Sequence, residues 1–312
     1  MKAIRQTELG PPDVLRLVDV PTPEPRPTEV LVRVASAGVN PVDWKTRAKG
    51  GFLGEPPFTV GWDVAGVVAQ VGYGVTRFGV GDRVFGMPWF PREASAYAEY
   101  VTAPSRHFAR VPDELELRDA GAIPLGALTA WQALVETADV GPGTRVLIHA
   151  AGGGVGHLAV QIAKARGAYV IGAARAAHHD FLRELGVDET LDYTTVDVGE
   201  TAHDIDVVLD LVGGDTGRAS LPAVRDGGLI INIPSGADVE ALREAAGERV
   251  RVAALLVEPD SAAIDAIATL LAAGELRVKI ARAFALGDAA RAHQLGERGE
   301  IGGGKIVLLP DG

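Results

Sequence analysis

Hydrophobic positions follow two regimes along the chain. Over the first ~120 residues they come in short runs broken by turn residues. These runs are VLVRVASAGV (30–39), GWDVAGVVAQVG (61–72), GDRVFGM (81–87) and SAYAEYVTA (95–103), and each predicts a strand. Four prolines within 21–27 (PTPEPRP) predict an extended surface connection instead of a helix.

From about residue 123 the rhythm becomes strand, helix, strand. RVLIHAA (145–151) predicts a buried strand, and residues 155–166 a helix. In that helix Val155, Leu158, Ala159, Ile162 and Ala163 recur at helical spacing, and Gly167 is placed to end it. Further apolar runs lie at 168–174, 189–193, 205–213, 228–233 and 249–257. Six strands alternating with helical segments predict an α/β fold with a Rossmann-type, doubly wound six-stranded parallel sheet. After Pro259, residues 261–276 predict a helix, and short strands end in GKIVLL (304–309). A β-rich domain of residues 1–122 and 258–312, interrupted by a nucleotide-binding domain of residues 123–257, accounts for this order. The last strand of the sheet, RVRVAALLV, is apolar and expected at an edge, which needs covering.

The segment HAAGGGVGHLAVQIAK (149–164) joins the first strand of that sheet to its helix. Ala151, Gly153 and Gly156 stand where a dinucleotide fold carries its three small residues, with Gly154 and Val155 between them. Such a loop turns tightly, lets a pyrophosphate approach the backbone, and packs the helix on the strand, with N–H groups facing the phosphates. The second strand ends in IGAARAAHHD: Ala173 and Ala174 replace the acid that would bind NAD ribose hydroxyls, and Arg175 follows. An alanine admits a 2′-phosphate, and a guanidinium binds it bidentately. His179 is a second candidate donor, and Tyr193 a third group for the same end of the nucleotide. NADPH is therefore the expected cofactor, although Arg175 and His179 also read as ordinary surface residues.

Composition narrows the chemistry. Hydrophobic residues make up 47% and charged residues 23% of the 312, the balance of a globular protein. A net charge of −11 without a basic stripe argues against nucleic acid as a partner. No apolar run approaches the ~20 residues of a membrane span, and MKAIRQTELG is not a signal peptide, so a cytoplasmic protein is expected. There is no cysteine, and the seven histidines show no ligand spacing, so no metal site is expected.

The chain resembles the medium-chain dehydrogenase/reductase superfamily, in its zinc-independent quinone oxidoreductase (zeta-crystallin-like) branch. The resemblance is carried by AGVNPVDWKTRAKG (37–50), GWDVAGVVAQVGYGVTRFGVGDRVFG (61–86), AYAEYV (96–101), IPLGALTAWQAL (123–134), the glycine loop and DVVLDLVGG (206–214). It implies a GroES-like catalytic domain beside the Rossmann domain, and a homodimer. Zinc-dependent relatives carry a metal-binding Cys near Asn40 and a His-Glu pair near Trp62-Asp63, and neither survives here. The resemblance places Asn40 beside the nicotinamide. Many quinone oxidoreductases have Tyr two residues after the Asp of N-P-x-D; here Lys45 stands there, as in enone and alkenal reductases, whose lysine holds the nicotinamide ribose near the substrate carbonyl. Asn40 also reads as a cap of the turn before Pro41, and Lys45 as a surface lysine on that turn. Thr129 is either a nicotinamide neighbour or a buried helix threonine. Asp43 and Asp63 read as structural acceptors, and Trp89-Phe90 as a substrate-lining loop or plain packing. The function implied is zinc-independent, NADPH-dependent reduction of quinones or α,β-unsaturated carbonyls. The alternatives are an enoyl reductase acting on a thioester and a non-catalytic, crystallin-like NADPH-binding protein.

Overall fold

The computed structural model describes residues 1–233 and 238–310. It divides into two compact units, one of Met1–Leu128 with Glu258–Gly312 and the other of Thr129–Val257. The division falls inside the helix Pro124–Trp131.

The first unit opens with β1 (Lys2–Arg5) and β2 (Arg16–Asp19), an antiparallel pair. β3 (Glu29–Val39), β4 (Asp63–Val71), β5 (Arg83–Gly86), β6 (Tyr100–Pro104) and β7 (Phe108–Arg110) follow. β3 is the centre of this sheet, pairing with both β4 and β6, and is buried along most of its length. Val30, Val32 and Val34 are at most 1% exposed and join Phe58, Tyr97, Val101 and Phe108 in one core. Each such burial is worth about 1.5–3 kcal/mol.

In the second unit β8 (Arg145–His149), β9 (Tyr169–Ala173), β10 (Glu189–Leu191), β11 (Ile205–Asp210), β12 (Val224–Asn232) and β13 (Arg251–Ala254) form one all-parallel sheet. Its order, β10-β9-β8-β11-β12-β13, reverses direction after β8, as in a doubly wound dinucleotide fold. The helix Gly156–Ala165 ends at Gly167 (φ 83°), with Ala168 N–H donating to Ala163 and Gly167 N–H to Lys164. That is a Schellman termination, for which glycine avoids the Cβ penalty. The chain then returns to the first unit, where β14 (Ile280–Ala285) and β15 (Lys305–Leu309) complete its sheet in the order β14-β15-β3-β4-β5-β7.

Several expected elements differ in the structure. Within 95–103 the strand begins only at Tyr100: Ser95 takes a left-handed φ of 56°, and the N–H groups of Ala96, Tyr97 and Glu99 donate to Gly61, Val60 and Lys2 carbonyls outside that sheet ladder. The strand expected to reach residue 213 stops at Asp210, whose carboxylate accepts from Val212 and Gly213 N–H and turns the chain. β13 holds four residues where nine were expected, although it does lie at the edge of the sheet. The segment after Asn40 is a nine-residue helix, Pro41–Lys49, and not a turn.

Candidate functional site

In the nucleotide unit the loop after β8 is shaped by glycine. A Cβ on Gly156 would stand 2.3 Å from the Ala150 carbonyl oxygen and 2.7 Å from Ala151 Cα, both backbone atoms. Only glycine lets the helix start that close to the strand. Ala151 is buried and its N–H donates to Ala173 O on β9 (3.1 Å), so the loop is tied to the neighbouring strand end. Gly153, Gly154 and Val155 are half-buried, at the amino end of a ten-residue helix. A backbone cradle at a helix N-terminus fits a pyrophosphate.

At the ends of β9 and β10 the structure brings Arg175 and Tyr193 together, with His179 on the segment that follows β9. Arg175 Nε donates to the Tyr193 hydroxyl (3.0 Å), and both side chains are exposed. His179 Nε2 donates to Ala174 O (3.1 Å), which fixes the ring against the end of β9. No carboxylate pairs with Arg175 among the described residues. Sequence reasoning missed Asp192, which accepts from Ala176 N–H and from the Thr194 backbone and hydroxyl. These contacts, led by the Thr194 hydroxyl, hold its carboxyl below the usual range and fold the segment that carries Arg175. Thr129 is buried in the helix Pro124–Trp131.

The first unit holds a second constellation around the helix Pro41–Lys49. Asn40 is its N-cap residue, Pro41 its first residue and Gly50 (φ 82°) its stop. The helix buries polar residues, Asp43, Thr46 and Arg47. Asp43 Oδ2 accepts from Asn40 N–H (2.6 Å) and the Tyr97 hydroxyl (2.9 Å). Arg47 donates to Glu297 (2.6 Å), to Gly10 O (3.0 Å) and to His293 Nδ1 (3.3 Å). His293 Nε2 therefore carries the proton and donates to Tyr97 Oη (3.1 Å), which passes the polarity on to Asp43. Burial raises the Asp43 carboxyl to about 7, against the lowering effect of its hydrogen bonds. Burial, aided by Arg47, depresses His293 to about 3.

Asn40 itself is 1% exposed. Its Nδ2 donates to Asp63 Oδ2 (2.8 Å), its Oδ1 accepts from the Lys305 ammonium, and Asp63 Oδ1 accepts from Leu125 N–H (2.6 Å). Burial pushes the Asp63 carboxyl up, while Lys305 and Asn40 oppose the shift. Lys45 is exposed on the same helix, without a side-chain partner among the described residues. Phe90 is 6% exposed and packs edge-on against Trp62 (5.4 Å) and Phe52 (5.6 Å), and the Trp89 indole donates to Thr102 O (2.8 Å). Tyr97, His293 and Lys305 were not identified from sequence. Lys305 shows only as the polar start of an apolar run, 265 positions from Asn40.

Two family models match the chain: an alcohol dehydrogenase GroES-like domain over residues 26–113, and a zinc-binding dehydrogenase over residues 185–308. A 2-haloacrylate reductase from a Burkholderia species is 35% identical over 328 residues, covering 96% of each chain. The structure of a quinone oxidoreductase from Coxiella burnetii superposes with a TM-score of 0.92 at 37% identity, covering 99% of both chains. An Escherichia coli quinone oxidoreductase complexed with NADPH superposes with a TM-score of 0.88 at 27% identity, covering 99% of this chain and 100% of that one. The zinc in the second model's description does not suit the residues present. The positions that resemble metal-ligand positions hold Asn40, Trp62 and Asp63, and the Lys305 ammonium already faces Asn40 and Asp63. No group of three or more His, Asp or Glu among the described residues could hold a metal ion.

Proposed function

The chain belongs to the quinone oxidoreductase branch of the medium-chain dehydrogenase/reductase superfamily, and on that premise we propose that it reduces quinones or α,β-unsaturated carbonyls with NADPH, without zinc. The observation that carries this reading is the buried Asn40–Asp63–Lys305 group. A Lewis-acid site for alcohol oxidation needs three or four converging ligands. Here an amide, one carboxylate and a fixed ammonium stand instead, with Lys45 on the adjoining helix.

A bound NADPH supplies the hydride. The backbone of the Ala151–Gly156 loop would hold the pyrophosphate, while Arg175, bonded to Tyr193 and with His179 four residues on, would receive the 2′-phosphate. In the first unit, Asn40 would offer a nicotinamide an amide of fixed orientation. Lys45, a flexible exposed cation, would steady the ribose and stabilise the acceptor oxygen as it becomes negative. An electrophilic alkene or quinone needs alignment and one such donor, and no metal. The 2-haloacrylate reductase and quinone oxidoreductases among its relatives fit this acceptor class. The protein is expected to work in the cytoplasm as a homodimer.

The test is an acceptor screen with NADPH over quinones, alkenals and cyclic enones, before and after dialysis against a chelator. Acceptor-dependent oxidation of NADPH, unchanged by the chelator, is expected. One equivalent of zinc whose removal abolishes turnover would overturn the zinc-free reading.

A further inference from the structure

We propose that Lys305 is a positioning residue for Asn40: its buried ammonium decides which end of the Asn40 amide is oxygen and which is nitrogen. The role rests on the reading that Asn40 serves the reaction. The physical reason is an asymmetry of partners. A primary amide has two ends of nearly equal shape, one accepting and one donating. Opposite ends of the Asn40 amide meet groups that cannot exchange roles. The Lys305 ammonium only donates and takes Oδ1; the Asp63 carboxylate accepts from Nδ2 at 2.8 Å. A flip would set donor against donor and acceptor against acceptor among buried groups. Asn40, Asp63 and Lys305 are 1%, 0% and 3% exposed.

The sheet is built to make this contact. β15 pairs antiparallel with β3, Ile306 opposite Val39, so Lys305 stands opposite Asn40. β4 pairs with β3 on its other edge, Gly38 opposite Asp63. A Cβ at Gly38 would lie 2.8 Å from Asp63 Oδ2, so glycine there admits the carboxylate. Gly304, at φ 81°, would carry its Cβ 2.5 Å from Lys279 O, and its freedom delivers the chain to Lys305 in register. Fully buried lysines are rare unless paired, and an apolar residue at the start of an apolar strand would satisfy the fold more cheaply. The ammonium therefore answers a need of its partners.

Two variants of the full-length protein separate positioning from packing. Lys305→Met keeps the chain's bulk and donates nothing; Lys305→Gln still donates an N–H to Asn40 Oδ1, without charge. Two readouts are taken: single-turnover oxidation of NADPH by a naphthoquinone or a cyclic enone, and hydrogen exchange of the Asn40 Nδ2 protons in the cofactor-free protein by NMR. For Lys305→Met the expected result is transfer slowed roughly 10- to 100-fold, since small misplacements at a reacting centre cost that much. NADPH affinity is expected to change less than about threefold, because phosphate recognition lies in the other unit. Lys305→Gln is expected to transfer several times faster than Lys305→Met, and Asn40 Nδ2 exchange to be slow in the unmodified chain and fast in Lys305→Met.

Transfer by Lys305→Met at the unmodified rate, or no faster by Lys305→Gln than by Lys305→Met, overturns the proposal. If the unmodified protein reduces no acceptor, the functional reading fails by itself, and Asn40 exchange still judges Lys305: equal protection with and without the ammonium overturns its role. If neither variant folds, rapid Nδ2 exchange in the unmodified protein overturns it, and slow exchange supports it.

Discussion

Under the proposed function, Arg175 is the residue on which cofactor choice would turn. It follows Ala173 and Ala174, where an acid would repel a phosphate, and its guanidinium is held by Tyr193 at 3.0 Å while remaining exposed. Losing one charge-assisted hydrogen bond costs about 1.5–3 kcal/mol, roughly ten- to a hundredfold in affinity. Arg175→Ala is therefore expected to weaken NADPH by that factor and leave NADH nearly unchanged in a fluorescence titration. Equal losses for both cofactors would remove Arg175 from this role. A second consequence lies at His293, which burial and Arg47 depress to about 3. The folded state keeps this ring neutral while the unfolded chain protonates it near 6.5, so its contribution is present above pH 6.5 and lost as pH falls toward 3. His107, lowered to about 4 by burial, acts in the same direction. Asp43, raised to about 7, acts oppositely, because the folded state binds its proton more tightly. Urea denaturation is expected to show a pH slope, between 6.5 and 3.5, steeper than that of His293→Asn by about 1.4 kcal/mol per unit. Equal slopes would mean that His293 is charged in the folded protein.

The strand–loop–helix element around the glycine loop makes a sharper demand than its motif suggests. Gly156→Ala puts a methyl 2.3 Å from Ala150 O, and backbone cannot yield as a side chain would. Stability is expected to fall by about 1–3 kcal/mol, and NADPH to bind at least tenfold more weakly. Gly141→Ala, whose Cβ meets nothing within 4 Å, is the control and should change neither. Calorimetry and titration of both variants check this, and an unaffected Gly156→Ala would show that the helix does not need its close start. This element is also where the sequence was most legible. The helix Gly156–Ala165 and the strands on either side repeat apolar residues at their own periods, and Gly167 marks the stop. The helix Pro41–Lys49 was not legible, because it has no apolar stripe: it buries Asp43, Thr46 and Arg47. Such a face makes sense only once Tyr97, His293 and Glu297 are brought to it from remote parts of the chain. Lys305 was hidden for the same reason, since strand pairing, not local pattern, sets it opposite Asn40. Arg175 and Tyr193, 18 positions apart, were joined in advance because parallel neighbours in a doubly wound sheet end together.

At the scale of the whole molecule, β13 ends the six-stranded sheet with one edge unpaired among the described residues, and Leu256 just beyond it is 55% exposed. An apolar edge of this kind is covered most simply by its own copy across a two-fold axis. Light scattering at micromolar concentration is expected to give twice the 32.5 kDa chain mass, and a monomer mass would contradict this. The larger claim is that the molecule moves a hydride from NADPH to an electrophilic acceptor with side chains alone. Its most direct measurement is single-turnover oxidation of NADPH deuterated at the transferring C4 position, mixed with a quinone and with an enone after dialysis against a chelator. Acceptor-dependent oxidation, slowed by the deuterium and undiminished by the chelator, is expected. NADPH that binds but is oxidised by neither acceptor would contradict it.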